Sequence, residues 1–94
     1  MSSHLVYSCS EDVLESSIDN EIVLMSISTG EYYGLDEIGS RIWEMLTATP
    51  MTLSSLCQAL QVEFDVDEVA CQTDTAQFLQ DVVEQGLVKE LPVA

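Results

Sequence analysis

His4 and the cysteines Cys9, Cys57 and Cys71 are the residues that could carry nucleophilic or metal chemistry. A cysteine nucleophile needs a base close enough to take its proton. A general base needs a fixed position and a partner within reach. His4 lies in a weakly patterned N-terminal segment, and neither Cys57 nor Cys71 has a histidine near it in the chain. Cys57 and Cys71 fall on the apolar faces of predicted helices, where a thiol ordinarily acts as a small hydrophobe. Scattered cysteines with one histidine do not make a zinc set, and no Cys-x-x-Cys pair is present. Glu63, Asp65, Asp67 and Glu68 crowd together but lack the loop pattern and terminal glutamate of a calcium hand. Helix capping and solvation account for them. There is no glycine-rich phosphate loop. The residues predict no catalytic set, no metal and no cofactor.

Charge narrows the partners. The 94 residues hold 17 acids against Arg41 and Lys89, a formal net charge of −15. Such a surface repels nucleic acid and anionic lipid and favours partners with basic patches. The same acidity also keeps a chain soluble. Residues 63–85 carry seven acids (Glu63, Asp65, Asp67, Glu68, Asp74, Asp81, Glu84) and no lysine or arginine. That composition speaks against DNA binding through this segment, and no complex with duplex DNA is expected even at low salt. No apolar run approaches the ~20 residues of a membrane span. Met1-Ser-Ser-His-Leu5 does not resemble a signal peptide. An odd number of cysteines suits a reducing compartment, so a cytoplasmic location is expected.

The length predicts one domain, 1–94, with 1–10 as an arm or short strand and 91–94 as a tail. Val13 to Ile18 reads as the first firm strand, with Asp19-Asn20 as a turn lacking the usual glycine. Ile22 to Ile27 returns antiparallel, with Val23, Met25 and Ile27 on one face and Ile22 and Leu24 on the other. Ser28-Thr29-Gly30 turns, and Glu31 to Leu35 forms a brief third strand. Asp36 caps a helix to about Thr47, with Ile38, Ile42 and Met45/Leu46 on its apolar stripe and Trp43 closing the core. Thr49-Pro50 ends it. Thr52 caps a second helix with Leu53, Leu56, Cys57 and Leu60 on one face. Asp65 with Glu68 resembles a capping box. The third helix runs from about Asp67 to Gln85, where Gly86 stops it. Val69, Ala76, Leu79 and Val83 form one stripe, read as the core stripe. Cys71, Thr75, Phe78 and Val82 form a second beside it. Leu87-Val88 are expected to pack back onto the core.

The predicted fold class is α+β, a three-stranded antiparallel sheet followed by three helices, close to a winged helix. A short edge strand next to a helix with surplus apolar surface could receive an extended peptide.

The run Thr29-Gly-Glu-Tyr-Tyr-Gly-Leu-Asp-Glu-Ile-Gly-Ser-Arg-Ile-Trp-Glu-Met-Leu46 resembles the PqqD-like proteins, the recognition elements of ribosomally made, modified peptides. Asp74-Thr-Ala-Gln-Phe-Leu-Gln-Asp-Val-Val-Glu-Gln-Gly-Leu-Val88 resembles that family's last helix and its exit. The likeness spans about residues 12–90 in diffuse apolar and glycine positions. It implies a leader peptide added to the third strand, against the third helix. The Gly-Leu-Asp…Ile-Trp form looks more like the stand-alone recognition proteins of lasso-peptide pathways. That kinship implies a precursor peptide and a separate leader peptidase as partners. A PqqD proper would instead serve a radical-SAM enzyme. A winged-helix regulator is the alternative of another class.

Either family reading implies a non-catalytic adaptor. The expected peptide-binding residues are Glu31, Tyr32, Tyr33 and Gly34 on the strand and Cys71, Asp74, Thr75 and Phe78 on the helix. Asp74 is the expected partner of a basic leader residue.

Overall fold

The computed structural model describes residues 5–19 and 21–92. His4, Asn20 and the tail at 93–94 lie outside the described residues. The elements run β1 (Leu5–Cys9), β2 (Val13–Ile18), β3 (Glu21–Ser26), β4 (Tyr32–Gly34), α1 (Glu37–Ala48), β5 (Met51–Thr52), α2 (Leu53–Glu63), α3 (Glu68–Glu84) and β6 (Val88–Pro92). The class is α+β.

The expected meander is present as β2-β3-β4. Asp19 takes a positive φ of 51°, doing at the β2–β3 turn what glycine does more cheaply. Gly30, at φ 74°, fills that role between β3 and β4. Ile22, Leu24 and Ser26 of β3 are buried and face the core. Val23 and Met25 lie on the opposite face.

A second sheet, β5-β1-β6, is the main departure from the sequence reading. Leu5–Cys9 is a strand in its own right, paired from Leu5↔Pro92 to Cys9↔Val88. So the first strand precedes Val13, and Leu91 and Pro92 belong to β6 rather than to a tail. Neither β5 nor β6 was expected. Leu87 and Val88 are buried, as the packing-back of the exit segment required.

Local caps set the helix starts. Asp36 accepts from the Gly39 N–H at 2.7 Å, and Thr52 from the Ser55 N–H at 3.1 Å. Asp67, not Asp65, caps α3, accepting from the Ala70 N–H at 3.0 Å. Asp65 lies in the connection two residues too early. At the other end of α3 the Leu87 N–H donates to the Val82 carbonyl at 2.9 Å, across Gly86 at φ 79°.

The core joins Leu24 of β3, Ile42, Trp43 and Leu46 of α1, Leu56 and Leu60 of α2, Leu79 and Val82 of α3, and Leu87. Trp43 closes it as expected, and its Nε1 donates to Glu15 Oε1 of β2 at 2.8 Å. On α3 the core stripe is Cys71, Thr75, Leu79 and Val82. Of the stripe read as core from the sequence, Leu79 is in the core and Val83 packs half-buried against it. Val69 is 72% exposed, and Ala76 is also on the surface.

Ser40 ties α1 to the sheet. Its hydroxyl accepts from the Ile22 N–H at 3.0 Å and donates to the Leu35 carbonyl at 3.2 Å. It thus completes the ladder where β3 and the end of β4 diverge. Ser40→Ala would leave both groups unpaired in a buried place. We expect a loss of about 1–3 kcal/mol of stability, read by urea denaturation. A change within about 0.5 kcal/mol would mean that water replaces the hydroxyl.

Candidate peptide-binding groove

β4 is an edge strand: it pairs with β3 on one side and with no strand on the other among the described residues. Its register is Val23↔Gly34, Leu24↔Tyr33 and Met25↔Tyr32. The Leu35 N–H donates to the Ile22 carbonyl at 2.8 Å, and the Ser26 N–H donates to the Glu31 carbonyl at 2.9 Å. Bonded and non-bonded pairs alternate in an antiparallel ladder. Leu24↔Tyr33 is therefore a bonded pair, and the Tyr33 N–H and C=O point inward. Tyr32 and Gly34 turn theirs outward. Of the four strand positions expected to offer backbone bonds, Tyr33 turns its main-chain groups to β3. Glu31 turns its carbonyl there while its N–H donates to Thr29 Oγ1 at 3.3 Å, and Tyr32 and Gly34 have free ones.

The side chains follow the opposite logic. Tyr33 is half-buried, packed against the core on the same face as Leu24. Its hydroxyl donates to Glu31 Oε1 at 3.3 Å. Burial, then the nearby Glu31 charge, raises the Tyr33 phenol above its ordinary value. Tyr32 is 71% exposed on the outer face.

Two residues beyond Gly34, Asp36 enters the wall of a cavity of about 400 Å³. Cys71, Asp74, Thr75 and Phe78 all line it. The four helix residues expected at the site therefore come together. The four strand residues do not line this cavity and form the edge that leads toward it. Cys71 and Thr75 are buried, so they form its floor. Asp74 is exposed and Phe78 half-buried. Ile38, Gly39 and Ile42 of α1, Leu60 of α2, and Val66, Asp67 and Ala70 complete the lining. None of these was expected at a site. Ile38, Ile42 and Leu60 read as core stripe, and a stripe does not disclose that the helices leave a gap between them. The Asp36 and Asp67 carboxylates are engaged in capping, which leaves Asp74 as the free acid of the lining.

The cavity lining is mostly apolar, and the Cys57 and Cys9 thiols lie outside it. Burial, then the neighbouring Cys71 side chain, pushes the Cys57 thiol up to about 11. Burial and the Glu15 charge push Cys9 up to about 11. The thiolate is the reactive form, so both are poor nucleophiles at neutral pH. The Cys71 thiol lies 3.9 Å from Thr75 Oγ1 and 4.0 Å from the Cys57 carbonyl. No group of acids, histidines and cysteines that could hold a metal occurs among the described residues.

Arg41 of α1 braces the α2 end of this wall. It donates to both Glu63 oxygens, at 2.7 and 2.9 Å, and holds that carboxyl below the ordinary range. The pair is exposed, so its part is alignment more than stability. Among the described residues, no helix is long and apolar enough to cross a membrane.

Comparison with known proteins identifies the family and the fold. A chain described as TbiB1 in complex with the TbiA(β) leader peptide is 33% identical. The match covers 87% of this chain and 94% of that one, with a TM-score of 0.80. A second structure, lasso peptide synthetase B1 complexed with the leader peptide, is 20% identical. It shares the fold with a TM-score of 0.77 over 88% of this chain and 96% of that one. No curated protein sequence matches. The family model for coenzyme PQQ synthesis protein D (PqqD) matches residues 21–88, which span β3 through the start of β6. The chain belongs to the PqqD family.

Proposed function

We propose that this chain is a non-catalytic adaptor of lasso-peptide biosynthesis. It binds the leader region of a ribosomally made precursor as a strand added to β4. It then delivers the precursor to a separate leader peptidase in the cytoplasm. The observation that carries the reading is the free β4 edge, with the outward groups of Tyr32 and Gly34, continuing into an apolar cavity on α3. The edge supplies main-chain bonds irrespective of sequence, and the cavity supplies selection among side chains. The likeness to TbiB1, a structure with its leader peptide, supports the same use of the fold.

Asp74 gives the groove a charge preference. A basic leader residue near it would gain a salt-sensitive contact, worth about 0.2–1 kcal/mol at an exposed position. A second reading, a PqqD-type chaperone for a radical-SAM enzyme, is favoured by the family match. It keeps the groove and changes the enzyme.

The test is calorimetric titration with the leader of a candidate precursor, together with mass spectrometry of the full precursor. We expect saturable binding and unchanged precursor mass. For a leader with a basic residue at the groove, Asp74→Asn should weaken binding modestly and flatten its salt dependence. Turnover that survives repurification and vanishes in Cys57→Ala or Cys71→Ala would overturn the adaptor reading.

A further inference from the structure

We propose that Gly39 and Phe78 together set the width of the cavity, and so decide which apolar side chain of a bound peptide it accepts. The proposal rests on the peptide-binding reading above. Gly39 lies in the first turn of α1, where glycine costs stability relative to alanine. Its backbone does not take the positive φ that would demand glycine. The demand comes from the neighbours. A Cβ at this position would lie 3.0 Å from Phe78 Cε1, 3.4 Å from Phe78 Cζ and 3.1 Å from Asp36 Oδ1. The Asp36 oxygen is held by its 2.7 Å capping bond to the Gly39 N–H. The ring is therefore what must give.

Phe78 and Gly39 both line the cavity, one from α3 and one from α1. The missing side chain lets the Cε1–Cζ edge of the ring come close to α1. In that position the ring is a wall whose place is fixed by contact. Ile38, Ile42, Leu60 and Val66 line the same space. An uncharged, apolar side chain suits them. A methyl at position 39 would displace the ring and change the shape of that space. A smaller side chain at position 78 would release the constraint.

The test compares wild type, Gly39→Ala, Phe78→Leu and the double variant, each first shown by thermal melting to be folded. One arm titrates ¹⁵N-labelled protein with toluene and with 3-methylindole, following the amides of residues 36–42 and 70–78. The other selects binders from a random-peptide display library on wild type. It then varies the most sensitive apolar residue of a selected peptide from alanine to tryptophan. We expect Gly39→Ala to lose about tenfold in affinity for the side chain that wild type prefers, and to move the preference to a smaller one. Adding Phe78→Leu should restore most of the loss, a compensation that a purely structural glycine would not produce. An unchanged order of toluene and 3-methylindole across all four proteins would overturn the size assignment. A library that yields no binder to wild type would instead overturn the peptide-binding reading.

Discussion

Tyr33→Pro is expected to cost the fold about 3 kcal/mol or more, while Tyr32→Pro is expected to spare the fold and weaken peptide binding. The two residues are neighbours in β4, and the ladder phase separates them. The Tyr33 N–H points to Leu24, which is wholly buried. Proline there removes the donor, leaves the Leu24 carbonyl without its partner and loses the Tyr33 packing on the core. A small domain with a total stability of about 5–15 kcal/mol feels such a loss as a large fall in melting temperature. The Tyr32 N–H points to the open edge. Its removal breaks no bond within the sheet, and its side chain is already on the surface. If a leader strand bonds there, the loss should appear as about 1–3 kcal/mol in binding. Thermal melting and leader titration on both variants check the pair. Equal melting temperatures would mean that the β3–β4 register is not the one described.

The second large effect concerns which face of α3 meets the core. Leu79→Ala should destabilise by about 2–5 kcal/mol, because Leu79 is 1% exposed and its loss leaves a cavity. Val69→Ala should stay within about 0.5 kcal/mol, since Val69 faces solvent. Urea denaturation of both reads the difference. Comparable losses would reinstate the stripe of Val69, Ala76, Leu79 and Val83 as the packed face.

That comparison shows where sequence signals end. The caps at Asp36 and Thr52, the turn at Gly30 and the stop at Gly86 are local, and each was readable from a few adjacent residues. The β2-β3-β4 meander was readable for the same reason, since each strand pairs with the next. The second sheet joins Leu5–Cys9 to Val88–Pro92, residues from opposite ends of the chain, and adds the two-residue strand β5. No local pattern encodes that pairing. On α3, apolar residues spread over two adjacent stripes, so periodicity alone left their order open. Packing against α2 decides it, with the Cys71 thiol set against the Cys57 carbonyl. The same shift turned Cys71 and Thr75 from groove walls into a buried floor. Gly39 was legible as a glycine but not as the seat of Phe78, because that contact joins two helices distant in the chain.

The adaptor account makes the edge of β4 the place where a leader binds. Amide hydrogen exchange at single-residue resolution, with and without saturating leader, tests this most directly. The account predicts that the Tyr32 and Gly34 amides exchange freely in the unbound chain and slow on binding. The Tyr33 amide should be protected in both states, and residues 71–78 should gain protection with the leader. Unchanged exchange at Tyr32, Gly34 and residues 71–78 with leader bound, or protection along the other edge strand β2 instead, would contradict it.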